Sequence, residues 1–188
     1  KASRLMKARN IEVIYLNAGT NLYYFTGTKW NASERMVGAI LFQSGEIHYI
    51  APTFEEGTIR DFMLIEGKVH CWEEHENPFD LFINILKKNK IGNGNIGIDE
   101  TTPFFIFEGI LKTDFKTRLI NAKTVISECR MVKSDAEIAI IKALMEITLD
   151  VQKAAAKILR LGISAREVIN FIHEAHQKYG VPSGSYFC

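Results

Sequence analysis

The run Gly92-Asn93-Gly94-Asn95-Ile96-Gly97 spells G-x-G-x-x-G, the spacing that lets a backbone wrap a pyrophosphate. That chemistry needs a strand before the glycines and a helix N-terminus after them, so that free amides face the phosphate. Here a lysine-rich helical segment precedes and the apolar run Ile96 to Ile98 follows. The order is reversed, and the segment reads as a helix-to-strand loop. His173-Glu174-Ala175-His176 is one residue short of the H-E-x-x-H of a zinc protease, and no third ligand is evident. His173 continues a polar side with Arg166, Asn170 and Gln177, while His176 sits beside Ile172 and Tyr179. The pair reads as one solvated and one boundary histidine. His70, Cys71 and His75 lie among Glu73, Glu74 and Glu76, but neither count nor spacing fits a structural zinc site. Asp99, Glu100 and Asp114 are scattered through segments that look like surface, and Cys188 has nothing to mark it as a nucleophile.

Arg35 ranks above these as a binding residue. It follows Thr28-Lys29-Trp30-Asn31-Ala32-Ser33-Glu34, an aromatic and polar loop ahead of the strand that begins near Val37. A guanidinium is a planar fork that can hold a carboxylate through two hydrogen bonds, and Trp30 could wall such a pocket. The plain alternative is a surface arginine paired with Glu34 or solvent.

Elements must position these residues. Residues 2 to 10 read as the end of a helix, with Leu5 and Met6 inward and Asn10 as its stop. Ile11 to Leu16 is an apolar, β-branched run, most simply a buried strand. Asn21 to Gly27 is too short for a standard helix and too aromatic for an idle loop. Val37 to Phe42 and Ile47 to Ala51 form a hairpin around Gln43-Ser44-Gly45-Glu46. A helix over 53 to 65 follows, weakened by Gly57, then a strand over Val69 to Trp72. Asn77-Pro78 starts a helix that buries Phe79, Phe82, Ile83 and Leu86. A short strand at Ile96 to Ile98, a helix from Thr102-Pro103 and a last strand at Leu119-Ile120 complete a mixed α/β sheet.

Cys129 to Lys133 reads as a linker, after which Ser134 and Glu137 form a capping box. The helix behind it carries a stripe of Ile140, Leu144, Ile147, Val151, Ala154, Ile158 and Leu161, with Ile138, Ile141, Met145 and Leu149 alongside. So wide an apolar face must pack against something large. Gly162 suits the end of that helix, and Ser164 with Glu167 caps another that buries Val168, Phe171, Ile172, Ala175 and Tyr179 before Gly180 and Pro182.

A net charge of +1 gives no electrostatic case for nucleic acid or an anionic membrane, and no apolar run approaches bilayer length. Three widely spread cysteines, Cys71, Cys129 and Cys188, read as reduced thiols of a cytoplasmic protein.

Two blocks carry a family resemblance. Asn21-Leu22-Tyr23-Tyr24-Phe25-Thr26-Gly27 after Ile11 to Leu16 resembles the N-x-x-Y-F/L-T-G block of the N-terminal domains of creatinase, prolidase and aminopeptidase P. Arg130-Met131-Val132-Lys133-Ser134, followed by a helix opening Asp135-Ala136-Glu137-Ile138, resembles the start of their pita-bread catalytic domain. The resemblance implies an N-terminal domain of ribonuclease-H-like topology over residues 1–127, then the incomplete start of the α+β catalytic domain over 128–188. An apolar strand of that domain would begin near Ser185.

It further implies a metal-dependent Xaa-Pro dipeptidase or aminopeptidase acting on proline-containing peptides. Two divalent ions (manganese, cobalt or zinc) would be held by ligands beyond residue 188, so no catalytic or metal residue is assigned here and the chain by itself is expected to be inactive. A homodimer is implied, in which Arg35, with Trp30 beside it, would meet a substrate carboxylate in the partner's active site. Two other outcomes suit the same family: a non-catalytic interaction module, or a creatinase-like hydrolase of a small non-peptide substrate.

Overall fold

In the computed structural model, which describes residues 1–181, strand β1 (Ile11–Asn17) lies inside a six-stranded sheet. The others are β2 (Gly38–Phe42), β3 (Ile47–Pro52), β4 (Lys68–Trp72), β5 (Asn95–Ile98) and β6 (Leu119–Asn121), in the order β4-β3-β2-β1-β5-β6. β1 and β3 run antiparallel to β2, whereas β4 is parallel to β3, and β5 and β6 are parallel to β1. The chain thus builds outward from β1 on one side and then returns to build on the other. β1, β2 and β3 are almost wholly buried. A sheet covered on both faces has no solvated side, which is why these strands read as continuous apolar runs.

Alternate residues feed two cores. One face carries Ile14, Leu16, Ala39, Leu41 and Tyr49. It is covered by α1 (Ala2–Ala8), α2 (Thr20–Thr26), α3 (Glu56–Phe62) and α6 (Lys123–Met131) through Met6, Leu22, Ile59, Val125 and Ile126. The other carries Val13, Tyr15, Ile40, Ile50, Ile96 and Ile98 under α4 (Pro78–Lys88) and α5 (Phe104–Leu111). Fully burying one aliphatic side chain contributes roughly 1.5–3 kcal/mol, so the two layers dominate the stability of this unit. Asn10 ends α1 with φ of 52°, and Asn77 caps α4, its side chain accepting from the Phe79 amide at 2.9 Å.

Three local expectations within residues 1–131 are corrected. Residues 20–26 do form a helix, α2, whose seven residues are closed by Gly27 in the left-handed region at φ 72°. Cys129 to Met131 are not linker but the last turn of α6, because Val125, Ile126 and Cys129 recur at helical spacing and are buried. The helix expected over 53 to 65 is shorter, a 3-10 turn at Thr53–Glu55 followed by α3.

The chain divides into two compact units, Lys1–Met131 and Val132–Cys188. In the second, α7 (Asp135–Ile158) and α8 (Ala165–Lys178) pack through Val151, Ala155, Val168 and Ile172. Both capping boxes are formed, at Ser134 with Glu137 and at Ser164 with Glu167. α7 stops at Ile158, short of Leu161, and Tyr179 is exposed, not buried. The face of α7 toward its N-terminus is open: Ile140 is 62% exposed and Met145 60%. Among the described residues no helix is long and apolar enough to cross a membrane. Pro182, the strand expected from Ser185, and Cys188 lie outside the described residues.

Candidate functional site

The loop that carries Trp30 and Arg35 is tied at both ends. At its start Gly27 takes φ 72°, and Thr26 Oγ1 accepts from the Thr28 amide at 3.1 Å. At its end the Val37 carbonyl accepts from the Ala18 amide at 3.0 Å and from the Tyr15 hydroxyl at 3.3 Å. Burial, reinforced by the negative charge of Asp99, raises the Tyr15 phenol and keeps it protonated as a donor. Beside Arg35, Met36 is buried and its carbonyl accepts from the Trp72 indole at 3.3 Å. The backbone under Arg35 is thus held by the sheet, while its side chain stands at the surface.

Arg35 donates from Nε to Glu74 Oε1 at 2.9 Å and from Nη2 to Glu74 Oε2 at 3.4 Å. It also pairs with Glu34, and its guanidinium lies 5.3 Å from the centre of the Phe54 ring. The hydrogen bond with Glu74 raises the guanidinium further and holds the Glu74 carboxyl below the usual range. The fork therefore grips a carboxylate, and that carboxylate is this chain's own. Trp30 is half-buried against the first core and meets Phe62 edge to face, ring centres 6.0 Å apart.

The other constellations resolve differently. In the loop between α4 and β5 the Gly92 and Gly94 amides do face an anion, at 2.9 and 2.8 Å, but it is Oε2 of Glu12 on β1. His176 is buried with Nδ1 2.8 Å from the Ile172 carbonyl, one turn back along α8. His70 leaves Cys71 and His75 for a different partner, its Nε2 lying 3.1 Å from His48 Nδ1. His48 Nε2 lies 2.9 Å from Glu46 Oε1, which Lys68 also approaches at 2.8 Å. Burial, with the nearby charges of His48, Lys88 and Lys68, lowers His70. Among the described residues no three of His, Cys, Asp and Glu gather as a metal ion would need.

Asp99 is the principal residue that the sequence did not reveal. It is buried at 2% exposure, not at the surface as its segment suggested. Its Oδ1 accepts from Asn21 Nδ2 at 2.8 Å and from the Thr101 amide and hydroxyl, each at 2.9 Å. Arg130 donates in turn to Asn21 Oδ1, and Tyr24 donates to the Cys129 carbonyl at 3.0 Å. The Asn21-to-Gly27 block thus binds α2 to β5 and α6.

Residues 1–132 match the Creatinase/Prolidase N-terminal domain family. The chain is 24% identical over 187 residues to a putative dipeptidase, YkvY, of Bacillus subtilis, covering 99% of this chain and 51% of the relative. A prolidase from Thermococcus sibiricus superposes with a TM-score of 0.78 at 27% identity, covering 95% of this chain and 48% of that one. The N-terminal domain of an Xaa-Pro dipeptidase from Lactobacillus brevis shares the fold, with a TM-score of 0.59 at 17% identity over 67% of this chain and 95% of its own. The chain spans about half the length of the curated relatives it matches.

Proposed function

The chain belongs to the creatinase/prolidase N-terminal domain family, and from that premise we propose that it is the N-terminal part of a metal-dependent Xaa-Pro peptidase, a prolidase or aminopeptidase P. The observation that carries the reading is a match along nearly the whole chain to about half the length of proteins named as a putative dipeptidase and a prolidase, with residues 1–132 matching an N-terminal domain family. The described residues offer no donor set for a metal pair. The metal ions, which would activate water and polarise the scissile carbonyl, are assigned to the other half of such a protein. What this chain's own residues contribute is substrate access and contacts between subunits of a dimer.

Within that reading Arg35 receives the free carboxylate of a proline-containing peptide, and Trp30 walls the approach. The supporting geometry is the fork itself, which already binds a carboxylate from two nitrogens and rests on an exposed aromatic ring. An incoming carboxylate takes the place of Glu74.

The test uses the product of the unmodified gene with manganese, comparing an Xaa-Pro dipeptide with its C-terminal amide. Arg35→Ala is expected to raise KM for the acid by about tenfold, the size of a lost charge-assisted hydrogen bond, and to leave the amide unaffected. Equal effects on both substrates, or none on either, would remove Arg35 from the substrate site.

A further inference from the structure

His48 and His70 face each other across the edge of the sheet. β4 is its outermost strand, paired to β3 and, among the described residues, to no strand on its other side. His48, on β3, is buried at 1% exposure with its ring centre 4.6 Å from that of Phe42. His70, on β4, is half-buried and within reach of solvent protons. At the far end of β4 Trp72 is buried, donates its indole N–H to the Met36 carbonyl, and accepts at its own carbonyl from the Thr53 hydroxyl at 3.2 Å. One end of this strand is therefore pinned in the core, and the other is held where the two imidazoles meet.

The hydrogen-bonding roles follow from Glu46. Hydrogen bonds from Lys68 and then from His48 hold its carboxyl down at about 2, so it is an acceptor at neutral pH and in mild acid. His48 Nε2, 2.9 Å away, must then donate to it, which leaves Nδ1 of the neutral ring to accept from His70 Nε2 at 3.1 Å. A first added proton fits this chain, because an imidazolium on either side still donates to the lone pair opposite. A second does not. It sets N–H against N–H and places two positive rings with their centres 5.0 Å apart. Of the charged groups that face the pair, Lys68 on β4 and Lys88 on α4 add to the repulsion, and Glu46, in the turn before β3, is the carboxylate that opposes it.

We propose that the pair is an acid-operated latch on the sheet edge: residues 68–70 stay on β3 while the two rings share at most one added proton, and come away when both are charged. Trp72 is the hinge, and the edge of β3 is what opening uncovers. The Lys68–Glu46 ion pair is exposed and screened by solvent, and contributes little to holding the strand by itself. Burial, with the charges of His48, Lys88 and Lys68, keeps His70 below the ordinary histidine value. Acid therefore favours the opened strand, in which that ring takes its proton freely. The latch does not depend on the peptidase reading.

The experiment is amide hydrogen exchange of the intact chain at about pH 7.5 and about pH 5, read as protection factors with the amides between β1 and β2 as internal reference. The amides that join residues 68–70 to β3 are expected to lose protection at least about fivefold more than that reference on going to the lower pH. His70→Gln keeps a donor toward His48 Nδ1 but takes up no proton, and is expected to retain the protection. Titration of the imidazoles by NMR gives a second readout, in which the loss at β4 follows the second ring to become charged and not the first. Equal loss across the sheet, no loss at β4, the same loss in a folded His70→Gln, or a loss that tracks the first proton would overturn the proposal.

Discussion

At Arg35 the guanidinium geometry that suits a substrate carboxylate already holds one from Glu74, and the two must compete. Glu74→Gln should therefore lower KM for an Xaa-Pro dipeptide several-fold in the complete enzyme, because a neutral amide yields the fork more readily than a carboxylate. A raised KM would mean that Glu74 orients Arg35 and does not compete with substrate. The His48–His70 pair makes a second prediction at this scale. His70 is lowered from the ordinary histidine value, first by burial and then by His48, Lys88 and Lys68, so the unfolded chain binds its proton more readily than the folded one. Its contribution to stability is thus fully present above about pH 6.5 and is lost as the pH falls below that. Denaturation midpoints measured from pH 8 to 5 should fall on the acid side, and His70→Gln should flatten that fall. The pairing of Arg35 with Glu34, and the reversed order around the glycines, were legible from types and neighbours. The pairing of His48 with His70, and the burial of Asp99, were not. They depend on the parallel register that sets Ile50 beside His70, and on a loop folding over a strand end.

At the scale of elements, spacing located the hairpin and both capping boxes because each is decided within a few residues. α2 and the end of α6 were misread because each is short and its helical state depends on partners far away in sequence, α2 through Asn21 and Tyr24, α6 through Cys129. Gly27 supports this view of α2. A Cβ there would stand 2.7 Å from Leu64 Cδ1 and 2.8 Å from Leu64 Cβ, and the second contact is not relieved by rotating the leucine side chain. The left-handed backbone at φ 72° adds strain of its own. Gly27→Ala should cost at least about 1 kcal/mol in a denaturant titration, from backbone strain and the contact with Leu64 together. Ser164→Ala removes the hydroxyl that accepts from the Glu167 amide at 3.2 Å, and should cost α8 a similar ~1 kcal/mol.

For the whole molecule, the apolar stripe of α7 was legible from its period, but what covers it was not. Val151 and Ala155 pack against α8, while Ile140, Met145 and Leu149 remain exposed. If the gene product carries the further half that the relatives have beyond the matched part, this face is expected to be core in it. Ile140→Lys should then change the stability of the present chain by no more than about 0.5 kcal/mol and destabilise the longer product by at least ~2 kcal/mol. The measurement that bears most directly on the account is release of free proline from an Xaa-Pro dipeptide by the purified product of the unmodified gene. The account predicts release that requires manganese or another divalent ion and stops on chelation. A folded, metal-loaded product that releases no proline would contradict it.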